Sequence, residues 1–152
     1  MEFAGNLLWF IFGGGFFAWL GWVLLGALLC CTIVGIPFGI AAFRIARFAA
    51  FPFGKELVDV RLLGERRRTG TGLANVLWVV LAGLWLAIGH VLAGITCFLA
   101  FFLVLPIFFG LAHFKLAGVS FAPLGKKPVP REMAQEARRR AAAGELDRRA
   151  RR

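Results

Sequence analysis

Five side chains that could do chemistry lie within long apolar stretches of this sequence. Three are cations, Arg44, Arg47 and Lys115, and two are imidazoles, His90 and His113. An ionisable group in apolar surroundings is costly unless it is paired, so such residues are candidates for a functional site. The cations could bind an anion, and the histidines could carry a proton. These residues define a candidate polar site, and the surrounding elements must position them.

The positions of the other charges identify the solvent around this site. Hydrophobic residues make up 60% of the 152 residues, above the ~45–50% of soluble domains. No charged residue occurs between Phe3 and Phe43, and Lys115 is the only one between Thr69 and Gly125. Both stretches exceed the ~20 residues that a spanning helix needs. The sequence therefore predicts an all-α membrane protein.

Each candidate residue also has a plainer interpretation. Arg44 and Arg47 share a helical face, where their apolar stems could lie in lipid and their charged heads at the phosphates. His90 could bond to a neighbouring helix, since its apolar run contains no carboxylate. His113 is predicted near the cytoplasmic interface, where water or a headgroup would satisfy it. For each of these residues we favour the plainer interpretation.

The same stretches argue against enzyme and cofactor chemistry. Metal binding and acid–base catalysis need clustered His, Cys, Asp or Glu. The apolar arms contain no Asp or Glu, and the three cysteines lack metal-ligand spacing with a histidine. Stacking of nucleic-acid bases would need a soluble basic groove. We therefore expect no enzymatic activity, no cofactor and no metal, and nucleic acid is disfavoured as a partner.

The two apolar stretches repeat one order of features. The matched pairs are Asn-x-x-Trp at 6–9 and 75–78, Pro37 and Pro106, Arg44 and Lys115, and Pro-x-Gly-Lys at 52–55 and 123–126. The offset is 69 residues up to the proline and 71 after it. Such an ordered set indicates a tandem duplication. The predicted organisation is a first membrane repeat at 5–55, a basic linker at 56–73, a second repeat at 74–128 and a basic tail at 129–152.

Each repeat is predicted to form a two-helix hairpin with a long and a short arm. The first long arm, 7–34, would measure ~42 Å, which exceeds the ~30 Å hydrocarbon core, so we expect a kink at the glycines of 13–15. The short arm, 38–51, would measure ~21 Å. It could cross a thinned bilayer, re-enter it or lie at its surface. The arms of the second repeat are predicted at 76–105 and 107–122.

Glycine, proline and asparagine are predicted to delimit these arms. Proline removes a backbone donor and disfavours helix at the preceding residue. The expected turn residues between the arms are Gly35, Pro37, Gly39, Pro106 and Gly110. Asn6 and Asn75 each precede a long apolar run, and we interpret them as helix N-caps. Their repetition leaves a packing or pore-lining role open.

The basic residues predict the orientation. Five Lys or Arg lie from Lys55, at the end of the first repeat, to Arg68 in the linker, and residues 126–152 contain ten, against four Asp or Glu. Because cytoplasmic loops carry the excess of Lys and Arg, we expect both regions and the N-terminus in the cytoplasm. Each repeat must then cross an even number of times. The tail is expected to form a basic helix beginning near Pro130 that contacts anionic lipid headgroups.

The sequence Gly-Ile-Pro-Phe-Gly-Ile-Ala-Ala-Phe-Arg at 35–44, followed by Pro-Phe-Gly at 52–54, resembles the YccF family of small bacterial inner-membrane proteins. In that family the unit typically occurs twice in a chain of about this length. The resemblance covers about residues 5–128. The second copy departs from the pattern, because it lacks the glycine before the turn and has gained two residues. The resemblance implies an inner-membrane location and no particular reaction.

Two classes of function remain. The first is a structural or interaction component of the inner membrane, with the linker and tail docking partners or anionic lipid and with homo-oligomerisation left open. The alternative is a small oligomeric channel or transporter in which Arg44 and Lys115 face an anion, since duplicated hairpins with broken helices are typical of transporters. Each chain offers few polar groups within the membrane, so a pore would need several chains. We favour the first class.

Overall fold

A computed structural model describes residues 2–99 and 104–151. The helices of the first half are α1 Glu2–Phe12, α2 Gly15–Cys30 and α3 Ile36–Ala50. Those of the second half are α4 Thr71–Trp78, α5 Leu84–Leu99 and α6 Val104–Ser120, with a π-helical segment, Val79–Gly83, between α4 and α5. The remaining elements are β1 Lys55–Asp59, a short 3-10 helix Val60–Leu63, β2 Lys126–Pro130 and α7 Arg131–Ala150. The fold is therefore mostly helical.

The two strands correct the prediction of an all-α fold with a separate linker and tail. β1 and β2 pair antiparallel, with Leu57 opposite Pro128. Val58 and Val129 turn inward and pack on Ala134 of α7. The second strand could not be predicted from the sequence, because lysine and proline are depleted in strands. A two-stranded sheet tolerates the prolines, since every strand in it is an edge strand.

One helix among the described residues is long and apolar enough to span a membrane, and a second span results if a bent pair of helices is counted as one. α4, the π-helical segment and α5 form one 29-residue helix, Thr71–Leu99. α1 and α2 meet the same criterion together, but the chain bends by 74° between them. The bend occurs at Gly14, whose φ of 83° suits glycine, and so at the predicted kink. The π-helical segment follows Trp78 much as the bend follows Trp9, and π-bulges are frequent at functional sites.

The short arms are the centre of the structure. α3 and α6 are ~22 and ~25 Å long at 1.5 Å per residue. In α3, nine of fifteen residues are buried, whereas in α2 only three of sixteen are. The long arms instead expose large apolar side chains, among them Phe17, Leu24, Leu28, Trp85 and Leu92. The exposed apolar surface therefore lies mainly on the long arms, whereas α3 is largely buried.

The glycines assigned to the turns have two different roles. Gly35 is the N-cap of α3 and Pro37 lies in the first turn of that helix. Gly39 lies inside α3, where an added Cβ would meet the Cys30 sulfur and would lie 2.8 Å from the Gly26 carbonyl oxygen. Gly39 therefore lies outside the turn, in contrast to the prediction, and permits the close approach of α2 and α3.

The second half shows the same correction. Gly110 lies inside α6, where an added Cβ would lie 3.1 Å from the Gly94 carbonyl oxygen of α5. Pro106 falls in the first turn of α6. The predicted end of the long arm at residue 105 adjoins residues 100–103, which lie outside the described residues. Gly110 thus belongs to the contact between the arms and not to the turn.

Candidate functional site

Each of the two repeated asparagines forms hydrogen bonds with the loop that follows one short arm. The Asn6 side chain donates to the Phe53 carbonyl at 3.2 Å and accepts from the Phe53 N–H at 3.0 Å. Asn75 makes the same two bonds with Leu124, at 3.2 and 3.1 Å. Each amide thus satisfies both polar groups of one residue in a Pro-x-Gly-Lys turn. The interpretation of Asn6 and Asn75 as N-caps is wrong, since both lie inside their helices.

One buried tryptophan donates a hydrogen bond to the end of each short arm. The Trp9 indole N–H donates to the Ala49 carbonyl at 2.8 Å, and that of Trp78 donates to the Ser120 carbonyl at 2.7 Å. Both carbonyls lie in the last turn of a helix, where no intrahelical partner exists. The sequence reveals the Asn-x-x-Trp pattern but not this role, because backbone acceptors about 40 residues away carry no signal of their own.

The same tryptophans join the two halves. Trp9 packs on Phe109 of α6, with ring centroids 6.0 Å apart, and Trp78 packs on Phe38 of α3 at 5.7 Å. Phe38 and Phe109 are 71 residues apart, the offset of the second part of the repeat. Each long arm therefore contacts the short arm of the other half, and the core is shared between the halves.

The structure brings the two histidines together. The Nδ1 atoms of His90 on α5 and His113 on α6 are 3.3 Å apart, within hydrogen-bond distance. The His113 ring meets Trp9 edge-on, with centroids 4.9 Å apart, and lies beside Gly14 at the bend. His113 is buried in the core, where it contacts His90 and Trp9 in place of the expected water or headgroup, because this face of α6 packs on α1. His90 has the neighbouring-helix partner that its plainer interpretation requires.

The three cations have different surroundings. Arg44 is half-buried and Arg47 is exposed, both on α3. Lys115 on α6 lines a cleft that also includes Lys55 and Arg131. The position of Lys115 beside two further cations could not be deduced from the sequence, because it requires the paired strands. An anion-facing role for Arg44 and Lys115 stays a prediction.

The linker and tail form one surface unit, which we call the basic platform. It consists of residues 55–63 and 126–151, that is β1, the 3-10 helix, β2 and α7. Its small apolar centre contains Val58, Val129 and Ala134, flanked by Leu62 and Leu63. Gly54 and Gly125, with φ of 79° and 78°, form the turns that lead into the two strands. The platform therefore depends on both halves of the chain.

Ion pairs connect the elements of the platform. Glu56 of β1 pairs with Arg138 at 2.6 Å and with Arg131 at 3.6 Å, so it links the sheet to α7. Lys127 of β2 also pairs with Glu65, which follows the platform's 3-10 helix in the linker, at 2.6 Å. Such exposed pairs contribute only about 0–1 kcal/mol each to the free energy of folding. Their main effect is therefore to orient α7 relative to the sheet.

One carboxylate of the platform makes it sensitive to acid. Arg61 donates side-chain hydrogen bonds to Asp59 at 3.0 and 3.1 Å, and these lower the pKa of Asp59 below its ordinary value of 3.8. A lowered pKa stabilises the folded state above that ordinary value, and the contribution is lost as the pH falls through the folded pKa. Burial lowers the pKa of Lys126. The acid-sensitive contact of the platform is therefore the one between Asp59 and Arg61.

Comparisons with known proteins match this sequence to one family of membrane proteins. The model of the YccF family, described as an inner membrane component domain, matches residues 4–55 and 73–126. The chain is 30% identical over 143 residues to the inner membrane protein YccF of Escherichia coli (strain K12), which covers 91% of this chain and 94% of that protein. The inner membrane protein YccF of Shigella flexneri has the same identity and coverage. No solved structure gives a significant match.

The matched segments coincide with the features that hold the structure together. Each contains one Asn-x-x-Trp pattern and one Pro-x-Gly-Lys turn, and the first also contains the residues at 35–44. Together they make up more than half of the chain. The chain therefore belongs to the YccF family of inner-membrane proteins.

Proposed function

We propose that this chain is a multi-pass scaffold of the inner membrane, without enzymatic activity, that presents the basic platform to the cytoplasm and docks acidic partners on the exposed part of α7, residues 138–150. The observation that carries the proposal is the pairing of β1 with β2, with Lys55 opposite Pro130 and Asp59 opposite Lys126. A residue-by-residue strand pair needs both strands on one side of the bilayer. The linker and the start of the tail therefore share a side.

The charge of the platform supports the cytoplasm as that side. Residues 126–152 contain ten basic and four acidic residues, and cytoplasmic segments carry such an excess. If each half leaves the cytoplasmic side and returns to it, each crosses an even number of times. The α2–α3 turn, with Ile33 exposed, would then be the distal end of the first hairpin.

The strand register also supports a tandem duplication. Leu57 and Pro128 are 71 residues apart and lie opposite each other. Equivalent positions meet in this way when two like units pack about a two-fold axis, as in an isologous dimer. The reciprocal contacts of Trp9 with Phe109 and Trp78 with Phe38 fit the same axis.

Cysteine labelling tests this topology. In a variant with the three native cysteines replaced by alanine, we expect Arg66→Cys and Ala143→Cys to react with a membrane-impermeant maleimide in inside-out vesicles only. Ile33→Cys should react in right-side-out vesicles only. Labelling of the linker and tail reporters from opposite sides would contradict a shared side. Protection of Ile33→Cys from both sides would show that the hairpin re-enters and that the multi-pass topology is wrong.

Photo-crosslinking in cells tests the docking role. With a photoreactive residue at Arg139, which is exposed on α7, the wild type should give defined crosslinked partners. The triple variant Arg140→Gln, Arg148→Gln, Arg149→Gln should lose them, because the removed charges lie on the exposed part of α7. A matched triple variant of the linker side chains Arg61→Gln, Arg66→Gln, Arg68→Gln is the control for net charge. If the α7 variant retains every partner, the docking role fails.

One observation favours a channel or transporter as a second candidate. The bend at Gly14 lies beside the bonded pair His90 and His113, and transporters often place their sites at broken helices. His90 and His113 therefore form a pair of imidazoles among apolar side chains, and each chain would contribute one such pair. Ion or proton flux in liposomes above that of empty liposomes would favour this candidate over a scaffold.

A further inference from the structure

A cleft with a volume of about 840 Å³ lies where the platform meets α6. Its walls come from the start of α1, the loop before β1, the exposed face of α6 and the first residue of α7. The volume lies within the range of about 300–1,000 Å³ that is typical of ligand sites. The cleft is distinct from the exposed outer face of α7 to which docking is assigned above.

The cleft changes from apolar to cationic along its length. Phe108, Leu111 and Phe114 line it from successive turns of α6, and all three are partly exposed. Lys115 follows on the same face, four residues after Leu111. Side chains three and four apart are neighbours on a helix, so the apolar stripe ends at a cation about 10 Å along the helix axis from Phe108.

Two further cations stand at the same end and are held in place by the sheet. Lys55 begins β1, and Arg131 begins α7. The Arg131 backbone N–H donates to the Gly54 carbonyl at 3.0 Å, and Lys55 lies opposite Pro130 in the strand register. The backbone therefore fixes both residues beside Lys115. A cluster of cations assembled from three elements in this way attracts an anion.

Acidic groups offset only part of this charge. Glu2 is the one carboxylate among the described residues that line the cleft, and it lies against Gly54. Glu56 contacts Arg131 at 3.6 Å but lies closer to Arg138, at 2.6 Å. Lys55, Lys115 and Arg131 thus leave the cleft with an excess of positive charge.

We propose that this cleft binds one anionic phospholipid, with an acyl chain along Phe108, Leu111 and Phe114 and the phosphate at Lys55, Lys115 and Arg131. An occupant with an apolar tail and an anionic head matches both ends of the cleft. Basic pockets beside membrane helices on the cytoplasmic side commonly hold such headgroups. The inference rests on the proposed orientation, which puts the cationic end at the headgroup layer.

Lipid titration of the purified full-length protein in an uncharged detergent tests the proposal. Native mass spectrometry would measure binding of long-chain phosphatidylglycerol to the wild type and to the variant Lys55→Gln, Lys115→Gln, Arg131→Gln. Each cation near the headgroups contributes about fivefold to the affinity for the lipid. The triple variant should therefore bind phosphatidylglycerol roughly a hundredfold more weakly than the wild type. The matched control, Arg139→Gln, Arg148→Gln, Arg149→Gln, removes the same charge from α7 and should bind as the wild type does. Equal loss in both variants would overturn the proposal, because general attraction would then account for binding.

Two further measurements identify the bound molecule and distinguish this proposal from the docking role. Glycerol phosphate has the headgroup chemistry without acyl chains, and binding as tight as that of the lipid would also overturn the proposal. Leu111→Gln places a polar group on an already exposed part of the apolar wall, so it should weaken lipid binding while leaving the circular dichroism spectrum unchanged. Wild-type lipid binding by this variant would contradict the assigned acyl path. The cleft variants should keep the crosslinks at Arg139, so failure of one proposal does not imply failure of the other.

Discussion

Replacement of Trp9 by alanine should lower the free energy of unfolding by about 3–5 kcal/mol, the range for removing a large buried aromatic side chain. Trp9 is completely buried and touches Phe53, Phe109 and His113. The substitution would open a cavity between α1 and α6. It would also leave the Ala49 carbonyl without the indole N–H that it accepts. Reversible unfolding in mixed detergent micelles, followed by far-ultraviolet circular dichroism, would measure the loss.

Trp85 provides the matched control, because its side chain is 67% exposed on α5. We expect Trp85→Ala to change the free energy of unfolding by less than about 0.5 kcal/mol, as exposed positions do. Trp9→Phe should fall between wild type and Trp9→Ala, since it retains most of the ring but loses the hydrogen bond. Equal stability of Trp9→Ala and Trp85→Ala would show that the contact between the halves does not hold the fold together.

Substitution of Gly39 by valine should separate the arms of the first hairpin. A Cβ at this position meets the Cys30 sulfur and the backbone carbonyl of Gly26, and a backbone atom cannot move aside as a flexible side chain can. We expect a loss of about 3 kcal/mol, at the upper end of the range for overpacked cores. A lower unfolding midpoint and faster limited proteolysis in the same micelles would measure it.

Gly21 on α2 is the control for this substitution, because no heavy atom lies within 4 Å of its added Cβ. Gly21→Val changes helix propensity by a similar amount but should cost less than about 1 kcal/mol. Gly110→Val and Gly118→Val form a second pair on α6, with Gly110 in contact with α5 and Gly118 in open space. If Gly39→Val unfolds at the same midpoint as Gly21→Val, this result would contradict the close approach of α2 and α3 at Gly39.

The membrane character could be predicted because it depends on local sequence, and the repeated motifs can be read from the same sequence. Charge-free stretches longer than a bilayer span and an ordered set of matched residues need no knowledge of contacts. The kink at the glycines followed from their run at 13–15, and a basic helix near Pro130 followed from the composition of the tail. α7 does begin at Arg131.

The partners of the singled-out residues could not be predicted in the same way. Asn6 resembles an N-cap in sequence, because only the folded hairpin brings Phe53 to its side chain. Hydrophobicity also fails to separate the buried α3 from the largely exposed α2, since both helices are apolar in sequence. The pairing of His90 with His113 depends on the register of α5 against α6, which no pattern within one helix specifies.

The strand pair of the platform has a consequence for biosynthesis. The equivalent residues of β1 and β2 are 71 positions apart, so at ~5–20 residues per second the first strand waits roughly 4 to 14 s for its partner to be translated. During this interval the edge of β1 is open, and until residue 109 is translated Trp9 also lacks Phe109. An open edge invites pairing with another chain. A nascent chain that stalls before residue 109 therefore exposes both a strand edge and an unfilled aromatic contact, whereas one that stalls between residues 109 and 126 exposes the strand edge alone.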